Sequence, residues 1–192
     1  MTRRLTLAFA ALLTVAAVAS AQAGWTMLLD GKTLKGWNQV GEADWQVVDG
    51  AVQATKGAGG FLVSANSYAD FQLTAEVFVS PGANSGIFIR LQDPKTVTAA
   101  NSYEVNIYDT RPDQAYRTGG IVDVAKPLAM VNADGKWNTI DITAQGTQLI
   151  VVMNGTKTVD MDHKGHARGP IALQYGAGAM MVRFRNVRIR TL

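Results

Sequence analysis

The 192-residue chain contains no cysteine, which excludes disulfide frameworks, thiolate-ligated metals, thiol redox pairs and cysteine nucleophiles. Charge is sparse as well, at 17% of residues, while 47% are hydrophobic. That balance rules out a disordered or collagen-like polymer, and the length suits one domain, at most two. No segment repeats at a fixed period, which removes propellers and solenoids. No amphipathic stripe of ten or more residues with helical spacing is present. Past the first segment, no run is apolar for long enough to cross a bilayer.

What is present begins with an address. Residues 1–23 read MTRRLTLAFAALLTVAAVASAQA: two arginines, an apolar run from Leu5 to Val18, then a small-residue cleavage site at Ala21-Gln22-Ala23. This resembles a Sec-type signal peptide, and Arg3-Arg4 also fits twin-arginine export. The apolar run is shorter than the roughly 20 residues that span a membrane. The expectation is therefore a cleaved leader over 1–23 and a mature domain over 24–192, periplasmic or secreted and free of the membrane after cleavage. Cleavage takes Arg3 and Arg4 with it, leaving 16 basic side chains against 15 acids. A net charge of +1 gives no electrostatic footprint for nucleic acid.

The mature chain reads as all-β. Eleven short runs with period-2 alternation, from Trp45–Val48 to Met180–Arg190, are separated by Gly, Asn, Asp and Pro. Eleven strands in one domain predict a β-sandwich. Asp30-Gly31, Asp49-Gly50, Asp134-Gly135 and Asn154-Gly155 mark turns. The pairs at 49 and 154 lie between strand runs and suit type I′ hairpins, which need positive φ at both central residues. The longest irregular stretch, Thr110 to Asp134, carries Tyr116, Ile121, Val122 and Leu128 and reads as a packed loop over one sheet face.

Two runs concentrate the polar chemistry: Asn84-Ser-Gly-Ile-Phe-Ile-Arg90 and Tyr103-Glu-Val-Asn-Ile-Tyr-Asp109. Alternation puts Ile87, Ile89, Val105 and Ile107 on one side, and Phe88, Arg90, Glu104, Asn106 and Tyr108 on the other. Paired as a hairpin, these strands would bury the aliphatic set and present a carboxylate, a guanidinium, a carboxamide and two aromatic rings on one outer face. A solvated face with a weak cross-strand Glu–Arg pair is the plain alternative. Aromatic surfaces beside bidentate hydrogen-bonding groups instead suit a sugar, with its apolar CH patches and hydroxyl edge.

The segments WTMLLDGKTLKGW (25–37), WQVVDG (45–50), YADFQLTAE (68–76), NSGIFIR (84–90), YEVNIYD (103–109), Thr118-Gly119, GKWNTI (135–140), Asn154-Gly155 and GPIALQYGAGAMMVRFRNV (169–187) together resemble the 3-keto-disaccharide hydrolase domain family. The resemblance implies a concanavalin-like or laminin-G-like β-sandwich, a jelly roll whose concave sheet binds carbohydrate. It also implies hydrolysis of glycosides already oxidised to a ketone at C3 by a separate oxidoreductase. Such a substrate needs one base, one electrophilic donor and at most one acid, with no cofactor. On that reading Glu104 is the base, Arg90 the oxyanion clamp and Tyr108 or Asp109 the acid. Asn84, Asn106, Thr118 and Gly119 would hold hydroxyls, and Phe88 and Tyr108 would supply the aromatic surface. Many family members carry a histidine after the Gln that corresponds to Gln174. This chain reads Gln174-Tyr175-Gly176, so either Tyr175 substitutes as a neutral donor or the specificity has shifted.

Two other functions fit the same residues. Glu104 to Asp109 is similar to the catalytic strand of concanavalin-like retaining β-glucanases. However, Asp109 falls on the opposite parity from Glu104, and a retaining pair about 5 Å apart would need a bulge between them. A lectin-like module without catalysis is the other possibility. Asp160, Asp162, His163 and His166 have spacing that could hold a metal, but they lie in a polar connection and are read as solvated loop residues, so no metal is expected. Arg183, Arg185, Arg188 and Arg190 alternate with apolar residues as a final strand with a basic outer face and a bulge near Asn186.

Overall fold

The computed structural model describes residues 24–178 and 180–192; the expected leader at 1–23 lies outside the described residues. The strands are β1 (Thr26–Leu29), β2 (Trp37–Gly41), β3 (Gln46–Val48), β4 (Ala51–Ala54), β5 (Gly60–Ser64), β6 (Phe71–Val79), β7 (Ser85–Ile89), β8 (Tyr103–Ile107), β9 (Trp137–Gln145), β10 (Gln148–Met153), β11 (Thr156–Asp162), β12 (Ala172–Tyr175) and β13 (Val182–Thr191). They form two antiparallel sheets. The larger runs β11-β10-β9-β6-β13-β4-β3, with β1 added against β13, and the smaller runs β2-β5-β12-β7-β8. The all-β sandwich expected from the alternation is the observed fold.

Period-2 alternation explains how the sheets stack. Phe71, Leu73, Ala75, Val77 and Val79 of β6 face Ile87, Ile89, Val105 and Ile107 of β7 and β8 in one buried core. Each fully buried side chain of this size stabilises the fold by about 1.5–3 kcal/mol. Both expected type I′ turns are formed, with φ of 48° and 71° at Asp49-Gly50 and 51° and 78° at Asn154-Gly155. The β13 register shifts between Arg185 and Arg188, where Asn186 takes φ 52°. That shift keeps Val182, Phe184, Val187 and Ile189 all buried.

Strands β1 and β2 are additions to the sequence reading. Thr26–Leu29 has no alternation, and Trp37–Gly41 buries only Trp37 among its residues. Their pairing comes from tertiary context: Trp37 donates its indole N–H to the Leu28 carbonyl at 2.7 Å.

The smaller sheet carries a second apolar layer on its outer face. Val63, Phe88, Leu91 and Ala172 form a buried cluster separate from the main core, with Val40, Phe61 and Val97 packed around it. Val97 belongs to the β7–β8 connection, which therefore folds back over this face. The long 108–134 segment runs along the free edge of β8 instead. There the Gly119 N–H donates to Asn106 O at 2.9 Å, and the Val122 N–H donates to Glu104 O at 3.0 Å.

Candidate active site

Strands β7 and β8 pair as a hairpin that sets Phe88 opposite Glu104 and Gly86 opposite Asn106. Strand β12 continues the first row with Ala172 opposite Phe88 and places Gln174 opposite Phe61 of β5. The outer face is thus polar over β8 and the end of β12, and apolar over β5 and β2.

Glu104 lies at the polar end. Its side chain is only 8% exposed, and among the described residues no donor reaches its carboxyl. Burial pushes its pKa up to about 7; the Arg111 guanidinium pulls it down and the Asp123 carboxylate pushes it up, both more weakly. Arg111 itself keeps a buried Nε–H without an acceptor. A buried carboxyl that titrates near neutrality and forms no ion pair among the described residues has the character of a proton-transfer site rather than of a stabilising salt bridge.

Gly86 lets the backbone of β7 lie close against this side chain. A Cβ there would stand 3.3 Å from Glu104 Cγ and 3.4 Å from Gln174 Oε1. On the same hairpin and on β12, three buried amide oxygens have no donor among the described residues: Asn84 Oδ1, Asn106 Oδ1 and Gln174 Oε1. Buried acceptors left unmatched by the protein are costly, and ligand hydroxyls are the donors that would match them.

The structure separates several residues that the sequence reading grouped. Arg90 does not share the face with Glu104. It takes φ 53°, and this left-handed residue at the end of β7 reverses the alternation, so the side chain turns inward and is 1% exposed. Its Nε donates to Ala69 O at 2.9 Å, and its Nη1 donates to Gly146 O at 2.9 Å and His166 O at 3.2 Å. Its Nη2 pairs with Asp70 Oδ1 at 3.1 Å. Burial lowers its pKa, and Asp70 and Tyr103 oppose that shift. Four of its five N–H donors are committed to the protein and the side chain is buried away from Glu104, so the oxyanion role does not fit.

Asp109 is also committed elsewhere. Its carboxylate accepts from Thr118 Oγ1 at 2.5 Å, Ala133 N at 2.8 Å and Asp134 N at 3.0 Å, with Arg117 at 3.7 Å. It anchors the 108–134 segment and is not a partner for Glu104, so neither the acid role nor the retaining pair fits. Thr118 spends its hydroxyl on that anchor, and Gly119 packs against Thr158, where a Cβ would approach to 3.0 Å; neither faces a ligand. Tyr175 is 1% exposed within the main core and gives its hydroxyl proton to Gly178 O, so it does not replace a family histidine on the outer face.

Asn84 and Asn106 do lie on the expected side. Asn106 is fully buried and donates Nδ2–H to Tyr116 O at 2.5 Å, so it supports the adjoining segment. Asn84 is clamped against Gly176, whose N–H donates to its carbonyl at 3.0 Å. Phe88 faces outward but is covered, with its ring 5.4 Å from Phe61 and edge-on to it. Phe61 is the more accessible ring. Tyr108 follows β8, partly buried.

Sequence reasoning missed Gln174 and Phe61 as face residues and Arg111 as a charge acting on Glu104. Gln174 and Phe61 were legible, because each alternates with a core residue in a recognised run. Arg111 was not, because it stands in a loop with no periodicity. The Asp160–His166 segment is spread out. Asp160 pairs with Lys157 at 2.6 Å, Asp162 accepts from Thr147 at 2.8 Å, and His163 Nδ1 meets the Tyr103 hydroxyl at 3.0 Å. A cleft of about 540 Å³ lined by Asn66, Tyr68, Asp70 and Arg168 lies beside Arg90. There Asp70 is held by Arg90 and Gly146 N, and Arg168 donates to Ser67 O.

Known proteins share this framework. A 3-keto-disaccharide hydrolase of Bacteroides thetaiotaomicron is 35% identical over 151 residues, covering 62% of this chain and 52% of that protein; the chain thus spans about half the length of this curated relative. The crystal structure of a candidate glycosyl hydrolase from Parabacteroides distasonis superposes with a TM-score of 0.75 at 25% identity, over 88% of this chain and 99% of that one. The carbohydrate-binding module CBM66 of Bacillus subtilis shares the fold alone, with a TM-score of 0.61 at 15% identity over 88% and 96% of the two chains. The family description 3-keto-alpha-glucoside-1,2-lyase-like domain matches residues 24–190. With nearly every described residue inside that match, the chain belongs to the 3-keto-alpha-glucoside-1,2-lyase-like domain family.

Proposed function

We propose that the protein cleaves glycosides carrying a ketone at C3, with Glu104 as the base. The observation that carries this reading is a carboxyl 8% exposed, without a hydrogen-bond donor among the described residues and with its pKa pushed up to about 7, on an outer sheet face that also carries unmatched amide oxygens. A base works best when its pKa lies near the working pH.

A C3 carbonyl acidifies the C2 proton. Glu104 takes that proton as the electron pair moves toward the C3 oxygen, and Arg111 stabilises the enolate. The enolate then reforms the ketone, makes the C1–C2 double bond and expels the C1 oxygen substituent, which recovers the proton from Glu104. Water adds at C1 and a proton at C2 to give the free 3-keto sugar. The oxidised substrate comes from a separate oxidoreductase acting on the parent glycoside.

The test incubates the protein with matched native and 3-keto glucosides and follows products by mass spectrometry. Cleavage confined to the oxidised member is expected, and Glu104→Gln should lower turnover by about 10²–10⁴-fold. Full turnover by Glu104→Gln, or cleavage of the native member, overturns the reading. Binding without product would mark a lectin-like module instead.

A further inference from the structure

We infer that the apolar half of the same sheet face, built on Phe61, is a subsite for the leaving group, and that the enzyme selects C1 substituents with an apolar face. This inference rests on Glu104 acting as the base. The small Ala172 side chain on β12 leaves room between β5 and β7. Across that gap the Phe61 and Phe88 rings meet in a T-shaped contact, centroids 5.4 Å apart, and Phe88 is the residue opposite Glu104. Phe88 is 1% exposed, whereas Phe61, Val40 and Val97 are only partly buried on the same cluster. An accessible aromatic and two valines therefore continue directly from the catalytic carboxyl.

The other direction is different in kind, because Arg111 and Asp123 bring charge to Glu104 from the 108–134 side. Gln174 stands between the halves, opposite Phe61 on the neighbouring strand, with its Oε1 unmatched. The oxidised ring belongs at the polar end, over Gly86, where its hydroxyls meet the amide oxygens. Its C1 substituent then extends toward Phe61, a partly exposed aromatic surface suited to CH groups or to an aryl ring.

The experiment measures kcat/KM for methyl and phenyl 3-keto-glucosides and for a 3-keto-disaccharide, in the wild type and in Phe61→Ala and Phe61→Leu. Taking the ratio of variant to wild type for each substrate cancels the intrinsic leaving-group reactivity. Methyl cleavage should stay within about twofold, while the phenyl substrate, the disaccharide or both should fall about tenfold. Which of the two falls identifies an aryl or a pyranose occupant. Equal losses on all three substrates, or no loss on any, overturn the subsite. If the wild type cleaves none of them, the assignment of Glu104 fails, and the subsite is read by titrating phenyl 3-keto-glucoside: about tenfold weaker binding by both variants supports it, and equal binding overturns it.

Discussion

A Cβ placed on Gly86 would stand 3.3 Å from Glu104 Cγ. The same atom would lie 3.4 Å from Gln174 Oε1 and 3.3 Å from the Val105 carbonyl. These approaches are tight but short of a hard clash, and the backbone at 86 needs no left-handed conformation. Gly86→Ala adds a methyl group at a packed site and should cost about 1–3 kcal/mol without unfolding the domain, while it adds bulk beside Glu104 at the proposed sugar site. The expected result is kcat/KM on a 3-keto-glucoside lowered at least about tenfold per folded molecule, with a denaturation midpoint lowered only in line with that cost. Unaltered kcat/KM would show that substrate does not pass over Gly86.

Glu104 and Arg90 show what was legible in the sequence and what was not. Alternation placed Phe88, Glu104 and Asn106 together, because all three sit in extended backbone where the period is strict. The same rule misplaced Arg90 by a single residue. Its φ of 53° breaks the period at the strand end, and its four acceptors come from residues 69, 70, 146 and 166, too distant along the chain for any local pattern to register. Asp109 failed for a related reason. Its carboxylate answers to amides 24 and 25 residues later, so what read as an acid beside the site is an anchor for a loop. Turn chemistry was the most transparent layer, since Asp-Gly and Asn-Gly encode their conformation within two residues.

Arg90 should accordingly be a stability residue. Arg90→Met removes the donors that satisfy three backbone carbonyls and one oxygen of Asp70, and each buried acceptor left unmatched costs about 1–3 kcal/mol. Water reaching the half-exposed Asp70 offsets part of this, leaving a loss of about 3 kcal/mol. In a domain of this size that is a fall in Tm of roughly 6–12 °C. Turnover per folded molecule, measured well below the variant's melting point, should match the wild type within about threefold. A folded Arg90→Met with turnover lost by orders of magnitude would return Arg90 to the catalytic machinery.

Glu104 makes the opposite trade, and its sign follows from proton linkage. The folded chain holds the Glu104 proton up to about pH 7, whereas an unfolded chain releases it near 4.5. Between those values the unfolded state binds fewer protons, so stability falls as pH rises. The penalty is complete above pH 7 and absent below about 4.5. At 1.36 kcal/mol per pH unit the full cost is about 3 kcal/mol. Glu104→Gln keeps the shape without the charge and should be more stable than the wild type by up to about 3 kcal/mol at pH 8.5, with the gap closing toward pH 4.5. Urea unfolding of both proteins at pH 4.5, 6 and 8.5 measures it. A gap that is constant with pH would mean that Glu104 titrates as an ordinary solvated carboxylate, and the base proposed for C2 would lose the burial that tunes it. A gap that widens with pH, in a variant that no longer turns over 3-keto-glucosides, ties the cost in stability to the group that performs the chemistry.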